Sequence, residues 1–320
     1  MKLALNFDWK HNNQSIYLCV MLRIAYDPIY VLPLPEGHRF PMAKYELLPE
    51  QLVYEGTITE DQLFKPELLS EEILLLTHTS EYWAKLRDLT LSEKEARKIG
   101  FPLSKQMITR TRVISKGTVM ATEFAAQYGV AMNIAGGTHH SYPDHGEGFC
   151  ILNDMAVASN NWLQKNPKHK ILIVDLDVHQ GNGTAVIFQD DDRVFTFSMH
   201  GEKNYPLRKE RSSLDIGLED GTDDKTYLNI LRYKLPQIID QVKPDLIFFQ
   251  SGVDVLATDK LGRLGLTLGG CKERDQIVMK YAKLNAIPLV ISMGGGYSHS
   301  LHTIVEAHAN TFRSAQEIFF

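Results

Sequence analysis

The stretch ILIVDLDVHQGNG at 171–183 runs four branched apolar residues into Asp175, Asp177 and His179, three ligand-type side chains at alternate positions. In an extended strand alternate side chains share a face, so this spacing predicts that the three converge while Leu176 and Val178 point away. Asp254, in SGVD at 251–254, is a further such group at the end of another apolar run. Asp177, His179 and Asp254 together make a mixed oxygen and nitrogen set that suits zinc, and also iron, manganese or cobalt. Three ligands leave one or two positions open, which is the mark of a catalytic rather than a structural metal. His139 and His140 stand adjacent at the end of a third run. Extended, they cannot point the same way, so one can meet the attacking water while the other sits behind it. Such a pair supplies the general base and acid that amide hydrolysis needs, because the leaving amine must be protonated. Tyr297 follows Gly294, Gly295 and Gly296. Glycines let backbone approach a site closely, and a phenol placed there can reach an oxyanion.

Two rival chemistries lack their residues. Gly181-Asn182-Gly183 has Val186 where a dinucleotide fingerprint wants its third glycine or alanine, and no GxxxxGK(S/T) occurs, so nothing cradles a pyrophosphate. Cys19, Cys150 and Cys271 are odd in number, far apart and without a CxxC pair. That argues against a disulfide framework and against a thiolate zinc site, and it favours a reducing compartment. Cys150, two residues after Gly148, reads as a small buried side chain.

The elements that must position these groups are legible as short apolar runs ending in glycine-rich or polar clusters, at 130–140, 171–183, 194–200, 245–254 and 288–298. Each is strand-length, and the segments between them have helical spacing. In 225–242, Leu228, Leu231, Leu235, Ile238 and Val242 recur at intervals of three and four, with Pro236 as a kink or interruption. Helices are likewise predicted at about 104–128, 154–165, 272–285 and 299–317. Alternation of strand and helix predicts an α/β fold, a mainly parallel sheet covered on both faces, with its ligand site at the carboxyl ends of the strands. The proline- and glutamate-rich region 33–70 reads as helices and loops capping that sheet.

At 320 residues with 44% hydrophobic content, the chain can bury a full core, and the absence of repeats or a low-complexity linker favours one domain. Its 34 basic and 39 acidic residues give a formal charge of −5 with no dense basic stripe, so there is no electrostatic footprint for nucleic acid. No apolar run approaches the roughly 20 residues that span a bilayer, and Asp8 and Lys10 break the start before a signal-type core forms. A cytoplasmic protein, or a nuclear one, is expected.

Read in order, IAGGTHH (134–140), GEGFCILND (146–154), DLDVHQGNGT (175–184), SGVD (251–254) and GGGY (294–297) resemble the zinc-dependent histone deacetylases, with the bacterial acetoin-utilisation and acetylpolyamine amidohydrolase proteins alongside them. The resemblance covers about residues 22–315. IGFPLS (99–104) and Gln180-Gly181-Asn182 look most like the class IV branch. It implies the arginase/deacetylase fold, a three-layer α/β/α sandwich with a central mainly parallel sheet, over residues 21–320, with 1–20 as an N-terminal extension that tight packing of Phe7 and Trp9 would contradict. It also implies one catalytic Zn2+ on Asp177, His179 and Asp254, His140 as general base and then acid, His139 backed by Asp175 as its electrostatic partner, and Tyr297 at the oxyanion. Gly148, Phe149 and Tyr205 would line a narrow tunnel for an acylated lysine stem, with Leu261 near its mouth. Asp175 and Ser198 would hold a structural potassium ion. The implied substrate is an acylated lysine of a protein or peptide, acetyl or long-chain fatty acyl, or else a small acylated amine or polyamine.

Asn182 stands where class I deacetylases carry an aspartate, so His140 is expected to be less basic than in that class, and the 99–102 loop lacks the acidic rim residue of peptide-directed members. An arginase-like enzyme with two manganese ions would need more carboxylates, whereas Gly181 and Leu256 stand two residues after His179 and Asp254. A non-catalytic acyl-lysine-binding scaffold would be signalled by a broken ligand set or a missing Tyr297, and the whole set is present.

Overall fold

The computed structural model describes residues 21–320. The expectation for residues 1–20, including Phe7 and Trp9, lies outside the described residues. Among the described residues eight strands form one sheet: β1 (Arg23–Ala25), β2 (Leu63–Phe64), β3 (Val130–Asn133), β4 (Ile171–Asp175), β5 (Val194–Gly201), β6 (Leu214–Leu218), β7 (Leu246–Gln250) and β8 (Leu289–Ser292). Their order is β2-β1-β3-β8-β7-β4-β5-β6, and every neighbouring pair is parallel. Helices Lys105–Tyr128 and Asp154–Lys165 pack on each other in one layer, and Asp224–Val242, Leu268–Leu284 and Leu301–Phe319 pack in the other. The α/β/α sandwich expected from the sequence is therefore the fold, with a sheet that is parallel throughout.

The central strands read as unbroken apolar runs because both of their faces are covered. Ile171 to Val174 and Leu246 to Phe249 have no exposed surface. The register then sets the strand ends level: Asp175 pairs with Ser198 on one side and with Gln250 on the other, and Gln250 pairs with Ser292. Loops leaving these ends emerge side by side, which is how residues far apart in sequence come to share one site.

Helix boundaries follow local chemistry. Ser104 accepts from the Met107 N–H at 3.1 Å to open Lys105–Tyr128, and Gly129, at φ 90°, ends it. The helix Asp224–Val242 runs through Pro236 rather than being interrupted there. Its predicted stripe of Leu228, Leu231, Leu235, Ile238 and Val242 is buried, and that burial outweighs one missing backbone hydrogen bond. No helix of the described residues is long and apolar enough to cross a membrane.

His78 ties the loop after the histidine pair to this frame. It is 2% exposed; Nε2 accepts from the Asn153 N–H at 3.0 Å, so the proton sits on Nδ1, which donates to the Tyr142 carbonyl at 3.0 Å. Burial depresses its pKa from 6.5 to about 4. Between those values the unfolded chain binds a proton that the folded one refuses, so stability falls as pH drops through 6.5 and the loss is complete below about 4. At about 1.36 kcal/mol per unit, lowering the pH from about 7 to about 5 costs the native protein on the order of 2 kcal/mol from this group. In His78→Gln, whose amide can both accept and donate, that increment is expected to vanish. Denaturant unfolding of both proteins at the two pH values measures it, and equal losses would contradict the assignment.

Candidate active site

β4 ends at Asp175, so Asp177 and His179 do not share a face through the pleat as the alternation predicted. The chain instead curls through side-chain-to-backbone bonds. Asp175 Oδ1 accepts from the Asp177 N–H (3.2 Å), Asp177 Oδ1 from the His179 N–H (3.0 Å), and Asp254 Oδ1 from the Val178 N–H (3.0 Å). These are short polar turns of the kind aspartate favours, and they bring the same three side chains together by another route.

Asp177, His179 and Asp254 each present a ligand atom within 4.8 Å of the others, and all three are buried. His179 Nδ1 lies 3.0 Å from Asp177 Oδ1 and 3.2 Å from Asp254 Oδ2, and the second contact lacks hydrogen-bond alignment. Asp254 Oδ2 thus has no hydrogen-bond partner among the described residues although it is buried. Burial, with the Asp177 charge beside it, pushes the Asp254 carboxyl up to about 7. Burial opposes the charge of His179 too, but the hydrogen bond to Asp177 and the negative charges of both carboxylates outweigh it and carry its pKa up to about 10. Two like charges out of water with an orphaned oxygen fit a divalent cation.

The packing leaves no room for slack at this trio. A Cβ on Gly295 would sit 2.2 Å from Asp254 Oδ2, and the Gly295 N–H donates to Asp177 Oδ2 at 3.1 Å. Arg274, on the helix Leu268–Leu284, has no exposed surface. Its Nη1 donates to the carbonyls of Leu176 (3.0 Å) and Gly252 (2.6 Å), the backbone flanking Asp177 and preceding Asp254. Asp275 balances its charge at 2.7 Å and accepts from Thr311 at 2.7 Å. One buried guanidinium therefore joins the two ligand-bearing loops.

The histidine rings lie 4.1 Å apart between centroids. His139 Nδ1 meets Asp175 Oδ2 at 2.7 Å, and His140 Nδ1 meets Asn182 Oδ1 at 2.6 Å. Burial would lower both pKa values. At His139 the charges of Asp175 and Asp177 win and raise it to about 9, whereas at His140 the positive charges of His139 and His179 add to burial and drive it well down. Neighbouring groups driven apart in this way are candidates for separate acid and base roles.

A cavity of about 440 Å³ collects the remaining candidates. Gly148, Phe149, Tyr205, Leu261 and Tyr297 line it together with both histidines and the trio, whereas Asp175 and Ser198 stand behind that wall. Gly148, at φ +56°, lies against His140, where a Cβ would come 2.7 Å from Cδ2. The Tyr297 N–H donates to Asp259 Oδ2 at 2.6 Å, and burial with the nearby Asp254 and Asp177 charges raises the phenol well above its ordinary value, keeping it a donor. Cys150 also lines the cavity, and burial raises its thiol pKa, which agrees with an unreactive side chain.

Sequence reasoning missed Lys44, Lys98, Glu147 and Arg274. Lys44 is fully buried, donates to the Gly294 carbonyl at 3.1 Å and lies 5.8 Å from the centroid of the Tyr297 ring; burial lowers its pKa to about 8. Only Glu147 carried a signal, as an acidic residue inside the GEGFC segment.

Fold and trio define an α/β protein with a candidate metal centre at the carboxyl ends of its strands. The chain belongs to the histone deacetylase family, since residues 38–312 match the histone deacetylase domain. It is similar to an uncharacterized protein of Picosynechococcus sp., 44% identical over 296 residues that cover 92% of this chain and 99% of the relative. It is also similar to histone deacetylase 2 of Arabidopsis thaliana, 29% identical over 308 residues, 92% of this chain and 80% of that one. Among solved structures, an HDAC homolog complexed with SAHA superposes with a TM-score of 0.80 at 25% identity, over 92% of this chain and 84% of that chain.

Removing one carboxylate should abolish the reason for a cation to bind. Asp254→Ala is expected to hold a divalent metal ion at least about 10-fold more weakly than the unsubstituted site. Metal content after dialysis measures this, and a variant retaining one equivalent would refute the site.

Proposed function

We propose that this protein is a zinc-dependent amidohydrolase of the class IV type that removes acyl groups from N-acyl-lysine, with residues 21–320 acting as one domain. The observation that carries the reading is the buried Asp177, His179 and Asp254 set and the adjacent His139 and His140 lining one cavity. Asp177, His179 and Asp254 would hold the zinc ion, which would supply a Lewis acid for the amide carbonyl and a water whose pKa falls from about 15.7 to about 7.

The chain's own residues do the rest. Phe149 and Tyr205 enclose the apolar lysine stem, Leu261 borders the mouth, and Gly148 lets the stem pass close to His140. Neutral His140 takes a proton at Nε2 from the attacking water and returns it to the leaving lysine nitrogen. His139, held as a cation against Asp175, balances the negative charge that gathers during attack. Tyr297 donates from its hydroxyl to the tetrahedral oxyanion. A structural potassium beside Asp175 and Ser198 belongs to the same proposal, supported by their register pairing at the sheet end.

Zinc-loaded protein is expected to hydrolyse matched acetyl-lysine or myristoyl-lysine peptides and to lose that activity to a chelator; the preferred chain length identifies a deacetylase or a fatty deacylase. Hydrolysis of neither peptide would sink the lysine reading, and turnover of small acylated amines alone would replace the substrate. Tyr297→Phe is expected to lower turnover ~100-fold, on the order of 3 kcal/mol, as loss of one oxyanion donor does. An unchanged rate would remove Tyr297 from the mechanism.

A further inference from the structure

Glu147 precedes Gly148 and is 5% exposed. Its Oε1 accepts from Asn182 Nδ2 at 2.7 Å, and its Oε2 pairs with Lys98 Nζ at 2.7 Å. Burial opposes the charge, but Lys98, Tyr205 and Asn182 outweigh it and hold the carboxyl below its usual range. The amide of Asn182 meets three groups: Glu147, the Tyr142 hydroxyl at 3.0 Å from Nδ2, and His140 Nδ1 at 2.6 Å from Oδ1. Reversing that amide would be sterically free, so hydrogen bonding must choose its direction. An ionised carboxylate only accepts. The Tyr142 hydroxyl already spends its proton on Glu210 Oε1 at 3.1 Å, so towards Asn182 it accepts as well. Two acceptors on one side force the NH2 to face them and turn Oδ1 towards His140. Nδ1 of His140 must then carry the ring proton, which leaves Nε2 as the basic atom.

We propose that Glu147 is a positioning residue that fixes, through Asn182, the ring tautomer in which His140 can act as a base. The role in turnover rests on the amidohydrolase reading above; the tautomer itself does not. An aspartate facing His140 would accept from Nδ1 whichever way it turned. An asparagine has two faces, and Glu147, the charged and nearer of its two acceptors, makes the choice with the Tyr142 hydroxyl beside it.

Glu147→Gln keeps the shape and removes the choice. The glutamine can offer its NH2 to Asn182 Oδ1, Asn182 can reverse, and His140 Nδ1 becomes an acceptor with the proton on Nε2. Expected are a fall in kcat of at least ~10-fold with KM within about 2-fold, since misplacing a general base forfeits part of a 10²–10⁴ contribution. Nitrogen-15 NMR of histidine-labelled protein, with His140→Gln to assign the signal, should show the proton on Nδ1 in the native chain and a shift towards Nε2 in Glu147→Gln. In the double variant Asn182→Asp/Glu147→Gln, the glutamine donates to Asp and Asp accepts from Nδ1, so tautomer and kcat should both recover. A merely structural Glu147 predicts no such rescue. A native His140 protonated on Nε2 overturns the proposal without any variant having to fold, as does a Glu147→Gln protein with unchanged tautomer and kcat. If the native protein hydrolyses no amide, the enzymatic reading fails, and the NMR measurement still decides the tautomer.

Discussion

Two carboxylates and an imidazole that present ligand atoms within 4.8 Å of one another, all on buried residues, are the constraint around which this molecule is arranged. Like charges so close and so buried repel, and each has lost its hydration. Such a set is stabilised when positive charge joins the carboxylates and when the backbone cannot relax apart. Arg274 supplies the second condition, bonding the carbonyls of Leu176 and Gly252 from beneath while Asp275 neutralises it. The glycines at 252 and 295 supply it from the sides, since a Cβ at either would meet a carboxylate oxygen at 2.2 Å. Breaking a buried ion pair by removing one partner typically costs about 3–5 kcal/mol, which makes this support more than incidental.

The same electrostatic field sorts the histidine pair. Asp175 and Asp177 face His139 and keep it charged, and that charge, with burial, keeps His140 neutral. Two adjacent residues of identical chemistry are thereby shifted in opposite directions. The sheet makes this possible, because its parallel register levels the ends of β3, β4, β5, β7 and β8 and lets five separate loops close on a single cavity.

Much of this was legible in the sequence, for a definite reason. Strands buried on both faces are continuous apolar runs, so β3, β4, β5, β7 and β8 and the polar groups at their ends could be read directly. β1 and β2 could not, because three and two residues carry no periodicity and their pairing is decided by the tertiary structure. β6, whose side chains alternate between partly buried and exposed, lay in a stretch without an apolar run. The convergence of Asp177 and His179 was expected for the wrong local reason, since turns bonded by carboxylates do what the pleat was expected to do. Lys44 and Arg274 were out of reach because they act on carbonyls 250 and 98 residues away, and a backbone oxygen leaves no mark in the sequence. Asn182 was visible as the partner of His140, but Glu147 acts one bond further out, where spacing says nothing.

The most direct test of the account is an anomalous-difference map at the zinc edge from crystals of the zinc-loaded protein. The account predicts one strong peak bonded to Asp177, His179 and Asp254 and open towards Tyr297. A peak elsewhere, or zinc bound without the Asp254 carboxylate, would contradict it.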